Sequence, residues 1–260
     1  MKSTILRQLD HIEKEHGVSI LLACESGSRA WGFPSADSDY DVRFIYAHDR
    51  DWYLSVFDKR DVIERPIDKV LDISGWDLRK ALRLLRNSNA PLLEWLSSPI
   101  RYQCRKGPVA DIAALAEKSF LPASCCHHYL SMAKNSMAKS TAGGAIRAKT
   151  YLYALRPVLC CEWIIEHGAQ PPVRMADLIS AIPMDRRVKE RILHLIELKK
   201  DRSEAFCVER SHLIDAYLEQ RVAEIETHMP ENPPKPPSAA FDAVFRDILE
   251  GMSSTTSNAM

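Results

Sequence analysis

The stretch Gly27-Ser28-Arg29-Ala30-Trp31-Gly32-Phe33-Pro34-Ser35-Ala36-Asp37-Ser38-Asp39-Tyr40-Asp41-Val42-Arg43 decides how this chain is read. It follows Val18-Ser-Ile-Leu-Leu-Ala-Cys24, an apolar run expected to be a buried strand. It runs into Tyr40-Asp-Val-Arg-Phe-Ile-Tyr46, whose alternation predicts a second strand. Between them Glu25-Ser-Gly-Ser28 turns the chain into a short helix expected near Arg29 to Gly32. On a strand, Asp39 and Asp41 are two residues apart, so both carboxylates point to one face. They repel unless a cation lies between them, and hard oxygen ligands on a rigid strand suit Mg²⁺.

Asp72 adds a third carboxylate from the apolar run Val70-Leu-Asp-Ile73, where it would be costly without a partner. A metal site shared with Asp39 and Asp41 removes that cost. Gly27-Ser28 lies between strand and helix start, where glycine lets backbone amides approach a phosphate and a helix N-terminus favours an anion. Arg29 is placed to add a bidentate contact. A phosphate cradle, a two-carboxylate strand and a later strand carboxylate are the parts that two-metal phosphoryl transfer needs, with Asp72 as general base or as the ligand that positions the nucleophile.

Several residues have rival readings. Ser-Asp-x-Asp alone often marks a turn or a helix cap. Asp77 rivals Asp72 as third carboxylate, but its place before a helical repeat fits an N-cap. Asp37 fits a solvated loop. Trp31 either stacks on a base or packs in the core. Arg43 falls on the side of Asp39 and Asp41, where it either balances their charge or touches the triphosphate.

Outward from this stretch, Ile5, Leu6, Leu9 and Ile12 outline an amphipathic helix over 3–16 with Ser3 as candidate cap. A small helix is expected at 51–57, and strands at 61–67 and 69–73, so the first 75 residues are α+β with a small sheet. From Trp76 the period becomes helical and strand signals vanish. Helices are expected from Leu78 to Leu85 and at 91–96, 109–117, 124–139, 146–167, 175–182, 188–202 and 212–227. This predicts an α+β domain over 1–100 and an all-α helical domain over 101–228. The segment 229–260 holds the Pro-rich linker Met229 to Pro237, a last helix from Phe241 to Leu249 that clips onto this chain or a neighbour, and a flexible tail.

Composition limits the function classes. The 260 residues carry 35 Lys and Arg against 35 Asp and Glu, which excludes a protein held to nucleic acid by bulk positive charge. Yet Lys118 to Cys161 contains no Asp or Glu while holding Lys118, Lys134, Lys139, Arg147, Lys149 and Arg156. This is a candidate wall for triphosphate or RNA, with Lys149, Tyr153 and Arg156 near one helical face. The bland alternative is a buried helix with snorkelling cations. Seven cysteines, an odd number in mostly apolar segments, fit a reducing, cytoplasmic compartment. Cys125-Cys126-His127-His128 lacks metal-ligand spacing. There is no signal-like N-terminus and no run of about 18 apolar residues, so no membrane span is expected.

Gly-Ser, a spacer, Ser-Asp-x-Asp and a later strand Asp resemble the DNA polymerase beta-like nucleotidyltransferase superfamily. Within it, GSRAWGFPSADSDYDVRFIY, DWYLS, LDISGWDLRKAL, LLEWLSSP and KTYLYALRP resemble the predicted nucleotidyltransferases known as the RNA repair pathway polymerase beta family. The resemblance implies a small mixed sheet with helices, and Mg²⁺ (or Mn²⁺) with an NTP such as ATP as nucleotidyl donor. It places metal carboxylates at Asp39, Asp41 and Asp72 and phosphate binding at Gly27 and Ser28. The expected reaction moves an NMP to an acceptor hydroxyl with release of pyrophosphate. The acceptor stays open between an RNA end, a partner protein in an antitoxin-like pairing and a small molecule, and a non-catalytic nucleotide- or RNA-binding module is the rival from another class.

Overall fold

A computed structural model describes residues 1–66, 70–139 and 144–257. The apolar run after Gly17 becomes strand β1 (Ser19–Glu25), and the alternating run becomes β2 (Tyr40–Ala47). Together with β3 (Val62–Glu64), β4 (Leu71–Asp77) and β5 (Arg101–Cys104) they form one sheet in the order β3-β4-β2-β1-β5. Strands β2 and β4 are parallel and the other pairs antiparallel, so the sheet is mixed and the fold α+β. Helix α1 (Lys2–His16) buries Ile5, Leu9 and Ile12 against Ile20, Val42, Phe44 and Ile73. Its N-cap is Met1 rather than Ser3, which falls within the first turn.

The other helices of this sheet-containing unit are α3 (Arg50–Tyr53), α4 (Leu78–Leu85), α5 (Ala90–Leu96), α6 (Lys106–Lys118) and α12 (Ser238–Ser257). Helix α4 contacts β2, and α5 and α6 contact β1. Asp77 caps α4 by accepting from the Arg79 amide at 2.8 Å, so the strand stops where its own carboxylate starts a helix. Gly75 of β4 lies in register with Phe44, and a Cβ there would sit 2.2 Å from the Phe44 ring. Glycine at this position is required by the core, since the ring fills the space of any side chain.

A second unit comprises residues 27–39 and 121–233. It contains α2 (Gly27–Trp31), α7 (Pro122–Ala138), α8 (Ala148–His167), α9 (Met175–Ala181), α10 (Arg186–Lys200) and α11 (His212–Thr227). A two-stranded ribbon joins β6 (Ala145–Arg147) to β7 (Cys207–Glu209). Helix α8 touches α7, α9, α10 and α11 and is buried on nearly every side from Tyr151 to Ile164. Cys125, Cys126, Cys160 and Cys161 lie in this interior.

The structure departs from the sequence expectations in definite places. Strands do occur beyond Trp76: β5, β6 and β7 are three or four residues each, too short for a period to register, and Arg101-Tyr-Gln-Cys104 is a polar edge strand. The second unit is therefore not all-α. Strand β4 runs to Asp77 because it is paired on both sides, by β2 and β3. The expected strands at 61–67 and 69–73 are realised as Val62–Glu64 and Leu71–Asp77, and 67–69 lie outside the described residues.

Boundaries at 100/101 and 228/229 do not coincide with the compact units. Helix α6 belongs with the sheet, 27–39 belongs with the helices, and 234–260 returns to the sheet-containing unit. Arg86 Nε donates to the Pro236 carbonyl at 3.2 Å and Phe245 meets Tyr53 at 4.9 Å, so the last helix clips onto its own chain. That helix extends to Ser257 where a flexible tail was expected from Gly251, and 258–260 are outside the described residues. No described helix is long and apolar enough to cross a membrane.

Candidate active site

Parallel pairing of β2 and β4 sets Asp41 opposite Asp72, one register step before Val42 and Ile73. Neighbours in register on a sheet share a face, so the two carboxylates converge although 31 positions part them in sequence. Arg43, two residues along the same face, fills the gap between them. Its Nη2 donates to Asp72 Oδ2 at 2.7 Å and to Asp41 Oδ1 at 3.4 Å, and its Nη1 donates to the carbonyls of Val42 at 3.0 Å and Asp72 at 3.2 Å. Behind this pair Glu25 is fully buried, accepting from the Asp41 amide at 2.8 Å and from the Tyr102 hydroxyl. Next to it, burial pushes the Cys24 thiol up to about 12, with the Glu25 charge adding to the effect, so this sulfur is a packing group rather than a nucleophile.

The 27–39 segment is organised within the helical unit. Gly27 has φ of 60°, a left-handed conformation that suits glycine at the exit from β1. Ser28 Oγ donates to Ser38 Oγ at 3.2 Å, and Ser38 Oγ also accepts from the Ser35 amide at 2.8 Å and donates to Glu204 Oε1 at 3.2 Å. Glu204 in turn pairs with Lys149 Nζ at 2.5 Å, and its amide donates to Asp37 Oδ1 at 2.8 Å. Arg29 braces the same loop from within: Nε donates to the Asp39 carbonyl at 3.0 Å and Nη2 to the Ser38 carbonyl at 2.7 Å. Helix α2 spans only five residues, so its dipole adds little at Gly27 and Ser28.

Trp31 packs edge-on to Tyr153 at 5.2 Å and lies 5.8 Å from Phe33, while Lys149 stands 5.3 Å from the Tyr153 ring centre. Trp31 is thus a core residue, 8% exposed. Lys149, Tyr153 and Arg156 do come together, as their helical spacing predicts. Arg156, however, is 1% exposed, its guanidinium 4.4 Å from the Trp31 ring centre and donating to the Val173 carbonyl at 3.0 and 3.2 Å. It holds this unit together and is not placed to meet a nucleotide. The acid-free stretch is also less cationic than its sequence suggests, because distant acids reach it: Glu226 pairs with Lys134 and Glu204 with Lys149.

Comparison with known proteins adds the lineage. The sequence profile described as RlaP, RNA repair pathway DNA polymerase beta family, matches residues 1–247. The chain belongs to this family. It is similar to the uncharacterized protein YcgL of Bacillus subtilis (strain 168), with 43% identity over 225 residues that cover 86% of each chain. Among solved structures it is similar to a nucleotidyltransferase-like protein from Exiguobacterium sibiricum 255-15, at 12% identity and a TM-score of 0.32, over 86% of this chain and 74% of that one.

In this RNA repair pathway DNA polymerase beta family member, the donor set can be tested for a divalent cation. Among the described residues no three His, Cys, Asp or Glu side chains gather as a ready metal cluster. Asp41 and Asp72 nevertheless fit such a cation, since both present oxygens to one point where the Arg43 guanidinium stands in for positive charge. Asp39, expected on the strand two residues from Asp41, instead lies in the loop before β2 and is exposed, so strand alternation does not set its carboxylate beside that of Asp41. Sequence pattern did not reveal Glu25, Glu204 or Lys199 as site residues, and it showed Ser38 only as the Ser of Ser-Asp-x-Asp. Lys199 is 1% exposed, donates to the Phe33 carbonyl at 2.9 Å and is pushed down to about 8 by burial. A Glu just before the Gly-Ser turn was the one signal in view; the partners from beyond residue 198 had none.

Proposed function

We propose that this protein is a divalent-metal-dependent nucleotidyltransferase that moves an NMP from an NTP, ATP foremost, to an acceptor hydroxyl and releases pyrophosphate. One observation carries the reading: two carboxylates from parallel neighbouring strands, Asp41 and Asp72, converge on one cationic group in a chain of polymerase beta lineage. In this reading Gly27, Ser28, Arg29, Lys149 and Tyr153, all in the helical unit, would bind triphosphate. Asp41 and Asp72 would hold the divalent cation. Mg²⁺ or Mn²⁺ held there supplies charge neutralisation and makes the acceptor hydroxyl more acidic. Asp72 takes or directs the acceptor proton as the hydroxyl oxygen bonds the α-phosphorus and the bond to the bridging oxygen of pyrophosphate breaks. Arg43 keeps Asp41 and Asp72 together in the absence of a cation.

The acceptor assigned first is an RNA end, in line with the family description. Incubation with each α-labelled NTP, Mg²⁺ or Mn²⁺, a panel of RNA 3′ ends and cell lysate reports where the label goes. Label on RNA supports an RNA acceptor, and label on a co-purifying protein moves the acceptor to that partner. Asp41→Asn with Asp72→Asn should cut pyrophosphate release by about 10²–10³ or more. Undiminished release from that variant would place the chemistry elsewhere.

A further inference from the structure

A cleft of about 330 Å³ lies within the sheet-containing unit between the loop after α3 and the exposed side of α4. Asp77 borders it, five residues along β4 from Asp72, so about 16 Å separates it from the carboxylate pair. Its cations come from two places. Helix α4 gives Arg79, Lys80 and Arg83, in a run from Leu78 to Leu93 without Asp or Glu, and the loop gives Lys59 and Arg60 beside Asp58 and Asp61. Arg79 is tied down, donating to the Tyr53 carbonyl at 3.0 Å. Lys80 pairs with Asp61 at 2.9 Å and Arg60 with Glu64 at 2.7 Å, both solvent-accessible pairs of small net value that a phosphate can displace. Lys59 and Arg83 have no acidic partner among the described residues.

The same cleft offers rings. Phe57 lines it at 82% exposure, beside Val56 at 93%. Trp52 lies flat on His48, 3.8 Å between ring centres and 5° between planes, and the Lys59 ammonium rests 4.9 Å from its ring centre. Burial pushes His48 down to about 4, so the stack is neutral near pH 7. A polyphosphate alone uses the cations and leaves the rings wet. An apolar partner uses Phe57 and leaves Lys59 and Arg83 without counter-charge. Only a base carrying phosphate satisfies both sets.

We propose that this cleft is a nucleoside-phosphate site, separate from the candidate active site. Lys59, Arg60, Lys80 and Arg83 take the phosphate, and Trp52 and Phe57 take the base as Lys59 moves from the ring onto the phosphate. A free nucleotide and a nucleotide within a single strand present the same chemistry. The inference uses none of Asp39, Asp41 or Asp72 and stands independently of the catalytic reading.

The test uses the full chain labelled with 5-fluorotryptophan, in EDTA. The ¹⁹F resonance of Trp52, identified by its loss in Trp52→Phe, is followed on adding AMP, ATP, tripolyphosphate or a short single-stranded oligonucleotide. Expected are a saturable shift with nucleotide or oligonucleotide and an ATP half-saturation at least about fivefold below that of tripolyphosphate, from base stacking. Phe57→Ser should erase that preference. Lys59→Glu with Arg83→Glu, both exposed positions, should weaken every probe about tenfold or more, while Asp41→Asn leaves the shift unchanged. Tighter binding of the oligonucleotide than of AMP identifies a strand as the source, and the reverse a free nucleotide. No shift with any nucleotide probe, or equal binding of tripolyphosphate and ATP with Phe57→Ser silent, overturns the proposal.

Discussion

Replacing Arg43 by glutamine probes the carboxylate pair directly. One guanidinium bonds Asp72 at 2.7 Å, reaches Asp41 at 3.4 Å and braces two backbone carbonyls. A charge-assisted hydrogen bond contributes about 1.5–3 kcal/mol. The Arg43, Asp41 and Asp72 side chains keep 19, 32 and 30% exposure, and solvent screening lowers the figure to about 1–2 kcal/mol. Arg43→Gln retains a donor for one carboxylate but removes the charge that offsets their repulsion. The thermal midpoint in EDTA should therefore fall, by about 2–4 °C for each kcal/mol in a chain of this length. The same substitution removes the group that competes with a divalent cation. Metal at about 100 times its Kd stabilises by about 2.7 kcal/mol, so Mg²⁺ or Mn²⁺ should raise the midpoint of Arg43→Gln more than that of the native chain, and saturate at lower concentration. Calorimetric melts across a metal titration measure both effects. Equal midpoints in EDTA, or equal stabilisation of both chains by metal, would refute the idea that Arg43 occupies the cation position.

Three further outcomes follow from the packing and the buried charges. Gly75→Ala places a methyl 2.2 Å from the Phe44 ring and should cost about 1–3 kcal/mol in urea unfolding, with part recovered in Gly75→Ala/Phe44→Leu. Burial raises the Asp77 carboxyl above its ordinary value, so its neutral form contributes stability that is present below pH 4 or so and is lost as pH rises through the raised value. Asp77→Asn keeps the cap through its Oδ1, while its Nδ2 cannot accept from the Tyr53 hydroxyl, and it should flatten that slope. Asp77→Ala removes both and should cost about 2–4 kcal/mol, and a loss no larger than that of Asn would contradict this account. Lys199, pushed down to about 8 from its unfolded 10.5, acts in the opposite sense: the folded chain binds fewer protons between these values, so stability should climb with pH across that window. The climb is at most about 1.4 kcal/mol per pH unit, and denaturant midpoints of Lys199→Met should not show it.

Local pattern carries far in this chain. The alternation of Tyr40 to Tyr46, the apolar run ending at Cys24, the helical repeats from Leu78 onward and the capping role of Asp77 are all legible because strand and helix periods act over a few residues. Strands of three or four residues are not legible, since β5 and the β6-β7 ribbon exist only through partners far away in sequence. The unit boundaries were equally hidden. Nothing local in Ser35-Ala-Asp-Ser38 announces that Glu204 and Lys199 will hold its segment.

By itself, then, the sequence determined the α+β core, the lineage, and the residue types able to manage phosphate and metal. Tertiary structure decided which of them meet. The parallel register of β2 and β4 puts Asp41 against Asp72 and Arg43 between them, whereas Arg156 goes into the interior beneath Trp31 and the acid-free stretch receives its acids from α11 and from the turn that carries Glu204. The physical reason is that charge and burial are properties of neighbours in space. Sequence spacing reports those neighbours only within one turn of a helix or along one strand.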